Sequence, residues 1–515
     1  MTSQARPPFP GSLTLSCRRM STTLTLETTG TDGQPSAAHS RALGLVLLWS
    51  RDEPERVGEV TLMPSMAAGT VATLGRGQPP EDSALPRLGW MRQRPGRTVP
   101  TGPFGSPHIS RVQLQLEALG PGSLRLTNTG RASLVHEGKE TGSAVLAPGD
   151  VVSLHKLALM MCVERPVHLP SIEPRVEAPP FGEADAQGLV GESAAAWELR
   201  AHLAFAAARD AHVLVRGPSG TGKELVAQAI HRLSARARRA LVSRNAATFP
   251  ETLIDAELFG NARGFPNPGM PERPGLVGEA DGSTLFLDEF AELPPAMQAH
   301  LLRVLDAGEY QRLGESRPRR ADFRLIAATN RPEQMLKEDV LARFGLRLEL
   351  SGLERRREDI PLITRHLLRT LAREDPGLVL RYFPGQEPTA CPRVSQALTE
   401  YLVRHRYTTH TRELRTLLLH AAFHSPGDTL EPWPDEAPPA VSAPPRESPP
   451  PPEPAASTPP PVRAPMSIPP EELQACLDRH DGQQEPAWRE LGLSSRHVLT
   501  RLVRRHNLKV RGRTR

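Results

Sequence analysis

A chain of 515 residues, 38% of them hydrophobic and 23% charged, has enough apolar material for about three to four globular cores, which excludes a wholly disordered chain. The net charge of +5 suits contact with nucleic acid and excludes a strongly acidic solvating chain. The longest apolar run, Leu43 to Trp49, is too short to span a membrane, no secretory-type leader opens the chain, and Cys17, Cys162, Cys391 and Cys476 lie too far apart for metal-type spacing, so a cytoplasmic protein with reduced thiols is expected.

Residues 1–38 are rich in Ser, Thr, Pro and Gly and are expected to be disordered. Residues 39–168 hold short alternating runs at Leu43–Trp49, Val57–Leu62, Val112–Leu116, Ser123–Leu126 and Val151–Leu157, separated by turn residues. That spacing predicts an all-β sandwich. Four signatures follow one another inside it: Leu74-Gly-Arg76-Gly, His108-Ile-Ser110-Arg111, Leu124 to Gly130, and Leu146-Ala-Pro-Gly149-Asp150. The Arg76 guanidinium and the Ser110 hydroxyl are suitable donors to a phosphate group. Residues 169–186 read as a linker.

The clearest chemistry lies in 187–352. The apolar strand Val213–Val215 runs into Gly217-Pro218-Ser219-Gly220-Thr221-Gly222-Lys223-Glu224 and then into the helical pattern Glu224–Ile230. Strand, glycine turn, lysine and helix form a phosphate cradle. Glycines let backbone N–H groups approach, the helix start adds partial positive charge, and Lys223 adds a full one. The residue after such a lysine is ordinarily Ser or Thr, whose hydroxyl meets Mg²⁺. Here it is Glu224, so another site must supply the metal contact. Gly282-Ser-Thr-Leu-Phe-Leu-Asp288-Glu289 is an apolar strand ending in two acids, one to hold Mg²⁺ (Asp288) and one to polarise the attacking water (Glu289). A third strand, from Phe323, ends at Asn330, an amide placed to orient that water. The sheet so implied is of the α/β type and binds a nucleotide.

Residues 432–468 are proline-rich; with Pro469 and Pro470 they hold 17 of the 54 prolines, which predicts an extended spacer. Helical patterns return in 469–515, over Pro470–Arg479, Glu485–Leu491 and Ser495–His506, with the turn Gly492-Leu-Ser494 before the last. Helix, glycine turn, helix predicts a small all-α helix-turn-helix. From Ser494 to Arg515 there are eight Arg or Lys and no acid, which supplies phosphate affinity. Ser495, Arg496, His497, Thr500, Arg501 and Arg504 are the candidate DNA contacts.

From Leu189 to Leu430 these motifs resemble the central ATPase of the sigma-54-dependent transcriptional activators, the bacterial enhancer-binding proteins of the AAA+ superfamily. The phosphate loop matches, including Glu224. Leu285–Glu289 resembles the family's Walker B strand and Ala327–Arg331 its sensor I. The resemblance implies that the nucleotide is ATP and that Asn245 couples nucleotide state to a moving loop. It implies a helical lid over 353–431, with Arg412 as a phosphate-sensing arginine, and a homo-oligomeric ring in which Arg343 completes the neighbour's site. It also implies action on RNA polymerase carrying sigma-54, from upstream DNA. The segment 39–168 resembles a forkhead-associated domain, which implies a phosphothreonine protein or a Ser/Thr kinase as partner, met by Arg76 and Ser110. Residues 469–515 resemble a Fis-type DNA-binding domain.

The departures are specific. The family's sigma-54-contacting loop is replaced by Gly264-Phe265-Pro266-Asn267-Pro268-Gly269, Lys337 stands where an arginine is usual, and Tyr407-Thr-Thr-His410 precedes Arg412. The altered loop leaves two readings: an ATP-driven activator of sigma-54 polymerase gated by a phosphopeptide sensor, or a DNA-binding regulator or repressor whose ATPase sets oligomeric state without touching sigma-54.

Overall fold

The computed structural model describes residues 40–78, 84–170, 178–336 and 338–433, together with 19–20, 23–26, 469–480, 487, 490–491 and 496–506. It contains two compact units, residues 1–439 and 440–515, each described by itself.

The first unit begins with two antiparallel sheets. The larger has eight strands, in the order Lys139–Thr141, Leu134–His136, Val151–Leu154, Ala158–Pro166, Arg41–Ser50, Val60–Leu62, Trp90–Arg94, Arg97–Gly102. The smaller has four: Ser143–Leu146, Ser123–Asn128, Leu114–Gly120 and Val71–Leu74. Side chains alternate between faces along a strand. On Arg41–Ser50, Leu43, Leu45 and Leu47 therefore enter the core between the sheets, while Val46 and Leu48 face the other way into a second core. The neighbouring strand divides likewise, with Met160 and Cys162 inward and Leu159, Met161 and Val163 outward. An unbroken apolar run on a strand marks a sheet covered on both faces. The hairpin Trp90–Gly102 has no counterpart among the expected strands. Its Arg- and Pro-rich sequence lacks alternation, and it sits at the sheet's edge, where Pro100 is tolerated.

What covers the outer face is a helical subdomain: Ile360–Glu374, Pro376–Tyr382, Gln396–Arg404 and His410–His424. Val46, Leu48, Leu159 and Met161 share one apolar cluster with Ile360, Ile363, Leu398 and Leu402. Polar clasps rim this seam. The Trp49 indole donates to the Val394 carbonyl at 2.7 Å, and Arg165 pairs with Glu358 at 2.9 Å. Arg357 and Arg404 donate to the carbonyls of Gly149 and Val151. A cavity of about 310 Å³ lies in the seam, bordered by Trp49, Val57, Ile360, Arg365, Cys391 and Leu402.

The described part of the expected linker, residues 178–186, is packed rather than free. Arg92 and Arg94 stack on the Phe181 ring, Arg200 pairs with Asp185 at 2.8 Å, and Gly182 donates to the Glu192 carboxylate at 2.8 Å. Ser193 caps the helix Ala194–Ala207, its hydroxyl accepting from the Ala196 amide.

Next comes a parallel sheet in the order Leu346–Glu349, Val213–Arg216, Arg324–Thr329, Thr284–Asp288, Val242–Asn245. Val213, Leu214, Val215, Leu285, Phe286 and Ile326 are fully or almost fully buried, as strands covered by helices on both faces require. Residues 1–38 were expected to lack order. Within them, however, Arg19–Met20 and Thr23–Leu26 form a hairpin that adds to the sheet beside Leu346–Glu349, where the alternating Thr-Leu pattern matches a strand and the open edge offers unpaired backbone groups. The remainder of 1–38 lies outside the described residues.

In the second unit the helices Pro470–Arg479 and Arg496–Arg505 pack Leu473, Cys476, Leu477, Leu499 and Leu502 together with Ala487 and Leu491. Pro470 opens the first of these helices, with Glu471 and Glu472 in its first turn and Arg479 in its last, as the helix dipole favours. The spacer residues 434–468 and the turn Gly492–Ser494 lie outside the described residues.

Candidate functional site

Four adjacent parallel strands end on one edge of the sheet, and the motif residues stand at those ends. Val213–Arg216 leads into the glycine loop, Thr284–Asp288 ends at Asp288, and Val242–Asn245 sets Asn245 in register with Asp288. Arg324–Thr329 lies between the first two, so Asn330, directly after Thr329, emerges beside them, exposed.

The glycine loop is held by its own atoms. The Lys223 ammonium donates to the carbonyls of Gly217 and Pro218 at 2.8 and 3.0 Å, and the Thr221 hydroxyl donates to Pro218 at 2.9 Å. Gly222 takes a left-handed backbone (φ 94°) as the N-cap of the helix Lys223–Leu233. At Gly220 (φ +79°) a Cβ would lie 2.0 Å from the Thr409 carbonyl oxygen, so only glycine lets the helical subdomain come this close. Burial holds the Lys223 ammonium below its ordinary value, with Asp288 opposing this and Arg412 adding to it. Glu224 points away from the loop, accepting from Gln228 at 3.3 Å.

Asp288 and Glu289 are half-buried. Glu289 has a left-handed backbone (φ 51°), uncommon for a residue with a Cβ, and its amide donates to Asp288 Oδ1 at 3.0 Å. Such strain persists only where surrounding structure enforces it and clusters at working sites. Asn245 caps the turn after its strand, accepting from the Ala247 amide at 2.9 Å.

The helical subdomain closes on this edge through the helix His410–His424. Arg412 donates to the Ser219 hydroxyl at 3.2 Å, and the Thr411 amide donates to the Gly220 carbonyl at 3.2 Å. Glu413, which the sequence motifs did not single out, positions both. Its carboxylate accepts from the amides of Thr408 and Thr409, the Thr408 hydroxyl and the His405 ring at 2.7–2.9 Å, reaching back over the helix start as capping glutamates do. Burial raises its pKa, but the bonds from His405, Thr409 and Thr408 outweigh this and bring it down to about 2.

Arg343 is exposed and forked onto Asp306, with Nη2 2.9 Å from Oδ2 and Nε in contact with Oδ1. Among the described residues it is not joined to the other motif residues of its own chain. Lys337 lies outside the described residues. The segment Gly264–Gly269 forms a closed, solvent-facing loop. The Gly264 amide donates to Met270 at 2.9 Å, and buried Asn261 donates from one nitrogen to the carbonyls of Ala262, Phe265 and Pro271. Phe265 remains 41% exposed, with Gly314 beneath its ring.

In the sandwich, Arg76 and Ser110 are brought together. The Arg76 amide donates to the Ser110 carbonyl at 2.9 Å, and its guanidinium donates to Ile109 at 3.1 Å. The Ser110 hydroxyl accepts from the Arg131 amide at 3.0 Å. Fully buried Gln113 accepts from the Ser110 amide and donates to Asn128 and Ala132, tying the two loops. On the helix Arg496–Arg505, Arg501 is exposed and Thr500 half-buried. Arg496, His497 and Arg504 are placed on the helix backbone, and Ser495 lies outside the described residues. Among the described residues no helix is long and apolar enough to cross a membrane.

Residues 189–351 match the family model described as the Sigma-54 interaction domain. The chain is 34% identical over 332 residues to the transcriptional regulatory protein ZraR of Salmonella typhimurium, covering 63% of this chain and 70% of that protein. It is 42% identical over 200 residues to the Nif-specific regulatory protein of Bradyrhizobium diazoefficiens, covering 38% of this chain and 34% of that one. Among solved structures, NtrX from Brucella abortus in complex with ADP aligns over 63% of this chain and 70% of its own, at 28% identity and a TM-score of 0.41.

Proposed function

Because the chain belongs to the family of sigma-54-dependent transcriptional activators, we propose that it uses ATP hydrolysis at the strand-end site to remodel sigma-54 polymerase from upstream DNA, under control of a phosphopeptide-sensing sandwich. The chain is an AAA+ ATPase. The observation that carries the reading is the convergence at one sheet edge of Lys223, Asp288, Glu289 and Asn330, with Arg412 bonded to the phosphate loop.

The glycine loop's backbone N–H groups and Lys223 bind the phosphates, in a cradle that a Cβ at Gly220 would fill. The Asp288 carboxylate fits a hard cation, and Mg²⁺ bound there would offset charge on the transferring phosphoryl group. Glu289 polarises the lytic water, which Asn330 orients. Asn245, one strand over, reports nucleotide state. Arg343 acts on a neighbouring protomer, which requires it to leave Asp306 and the protein to form a ring. Arg76 and Ser110 receive a phosphothreonine, and the basic helix Arg496–Arg505 reads upstream DNA in the manner of a Fis-type domain.

A second reading is favoured by the loop at Gly264–Gly269. The Asn261 amide draws it into a closed loop through the carbonyls of Ala262, Phe265 and Pro271, and its sequence departs from the family's. On that reading the ATPase sets oligomeric state without touching sigma-54. The test is to mix the full chain with sigma-54, ADP and aluminium fluoride and look for a stable complex on a native gel, with hydrolysis assayed in parallel. A trapped complex supports the activator. Hydrolysis with no complex overturns it in favour of the second reading.

A further inference from the structure

We propose that the C-terminal unit binds one divalent transition ion of the zinc class through Cys476, His480 and Glu490. Cys476 and His480 are four residues apart at the end of the helix Pro470–Arg479, so they share one face. Glu490 approaches from the next segment. The Cys476 sulfur, an imidazole nitrogen of His480 and a carboxylate oxygen of Glu490 all lie within 4.8 Å of one another. Thiolate, imidazole and carboxylate are the donors zinc takes, at about 2.0–2.3 Å each, so a small side-chain adjustment closes the set. Softer ligands of this kind disfavour Mg²⁺ and Ca²⁺.

The present contacts prepare the site rather than occupy it otherwise. His480 Nε2 is 2.5 Å from Glu490 Oε2, so the two donors already face each other. Among the described residues the Cys476 thiol makes one long contact, 3.7 Å, to the Ala487 carbonyl. Arg479 holds the other oxygen of Glu490 and would orient that carboxylate from behind. Binding exchanges the thiol proton for the ion. Thiolate, carboxylate and dication then sum to zero charge, so a site half inside a core carries no net burden. Three protein donors leave the fourth tetrahedral position to water.

The energetic reason lies in the size of the unit. Among the described residues its core comprises seven buried side chains and one partly buried neighbour, and Cys476 is one of the seven. Cores this small are marginal by themselves and are commonly reinforced by a metal or another cross-link. An ion here would tie the first helix to Glu490, which precedes the basic helix in the sequence. It would add binding free energy directly to the folding of the unit.

The experiment is a Co²⁺ titration of the reduced, metal-free full chain. The expected result is a thiolate-to-cobalt charge-transfer band that saturates at one ion per chain, is displaced by Zn²⁺, and is lost in Cys476→Ser. Because Cys476 is buried, that variant alone could act by unfolding the unit. His480→Gln and Glu490→Gln, at partly exposed side chains, decide the matter: each should weaken Zn²⁺ binding by at least about 10–100-fold. Zn²⁺ should also slow amide hydrogen exchange across 473–491 in the native chain and not in these variants. No Cys476-dependent band, or unchanged Zn²⁺ affinity in His480→Gln and Glu490→Gln, overturns the proposal.

Discussion

The nucleotide edge and the seam between sandwich and helical subdomain lie in one compact unit and are built on opposite principles. The edge is made of backbone: glycines at positive φ, strand ends, and a few charged side chains that touch main-chain atoms. The seam is made of side chains drawn from residues roughly 190 to 345 positions apart, apolar at its centre and clasped by arginines at its rim. The first depends on a few residue types at fixed spacing and tolerates little change. The second depends on volume and on the pairing of buried charge. The helix His410–His424 belongs to the subdomain that forms the seam and also carries Arg412 to the phosphate loop, so a change in one region has a short route to the other.

Breaking the seam should have the largest effect on stability. Arg165→Ala leaves Glu358, a carboxylate whose pKa burial already raises, without its partner. We expect a loss of about 3–5 kcal/mol in chemical denaturation. Arg165→Met combined with Glu358→Leu should recover most of it, because removing both charges also removes the desolvation penalty. Breaking the edge should act on rate instead. Lys223→Ala should lower ATP hydrolysis by about 100–1000-fold with the melting temperature nearly unchanged, and Glu289→Gln should lose hydrolysis while still binding nucleotide in an equilibrium assay.

Glu413→Gln sharpens the comparison, since Glu413 serves the contact between the two regions. Losing charged acceptance from Thr408, Thr409 and His405 should cost about 1.5–3 kcal/mol and weaken nucleotide binding together with stability. The pH dependence has a definite sign. With its folded pKa depressed from 4.5 to about 2, Glu413 stabilises fully above pH 4.5, and the contribution fades as pH falls towards 2. Acid unfolding in that window should be shallower in the Gln variant. The smallest effect is expected at Asp306→Asn, which releases Arg343 from a solvent-screened, exposed pair. Hydrolysis at limiting protein concentration should change by no more than about fivefold.

The edge was legible in the sequence because its chemistry is local. Gly217 to Lys223, Asp288-Glu289 and Asn330 each announce a strand end by composition, and parallel pairing brings them together. The seam was not legible. Leu43–Trp49 reads in the sequence as one alternating run among several, Ala158–Val163 falls within none of the expected strands, and nothing in a single sequence says that helices roughly 200 to 300 residues further on cover the second face. Glu413 escaped notice because its role rests on a reach back to Thr408 and Thr409, and an acid inside a helix ordinarily reads as a solvated side chain. The hairpin Trp90–Gly102 escaped because arginine and proline break the period-two pattern.

The hairpin at Arg19–Leu26 changes how the sandwich is suspended. Thr23–Leu26 grips the edge of the parallel sheet before the sandwich begins, and residues 178–193 are fastened to the same unit after it ends. A domain moored at both ends is held in place by two tethers as well as by its seam, unlike a bead on a string. Cutting one mooring would leave the other holding the sandwich at high effective concentration beside its seam, so a single proteolytic nick would not set it adrift.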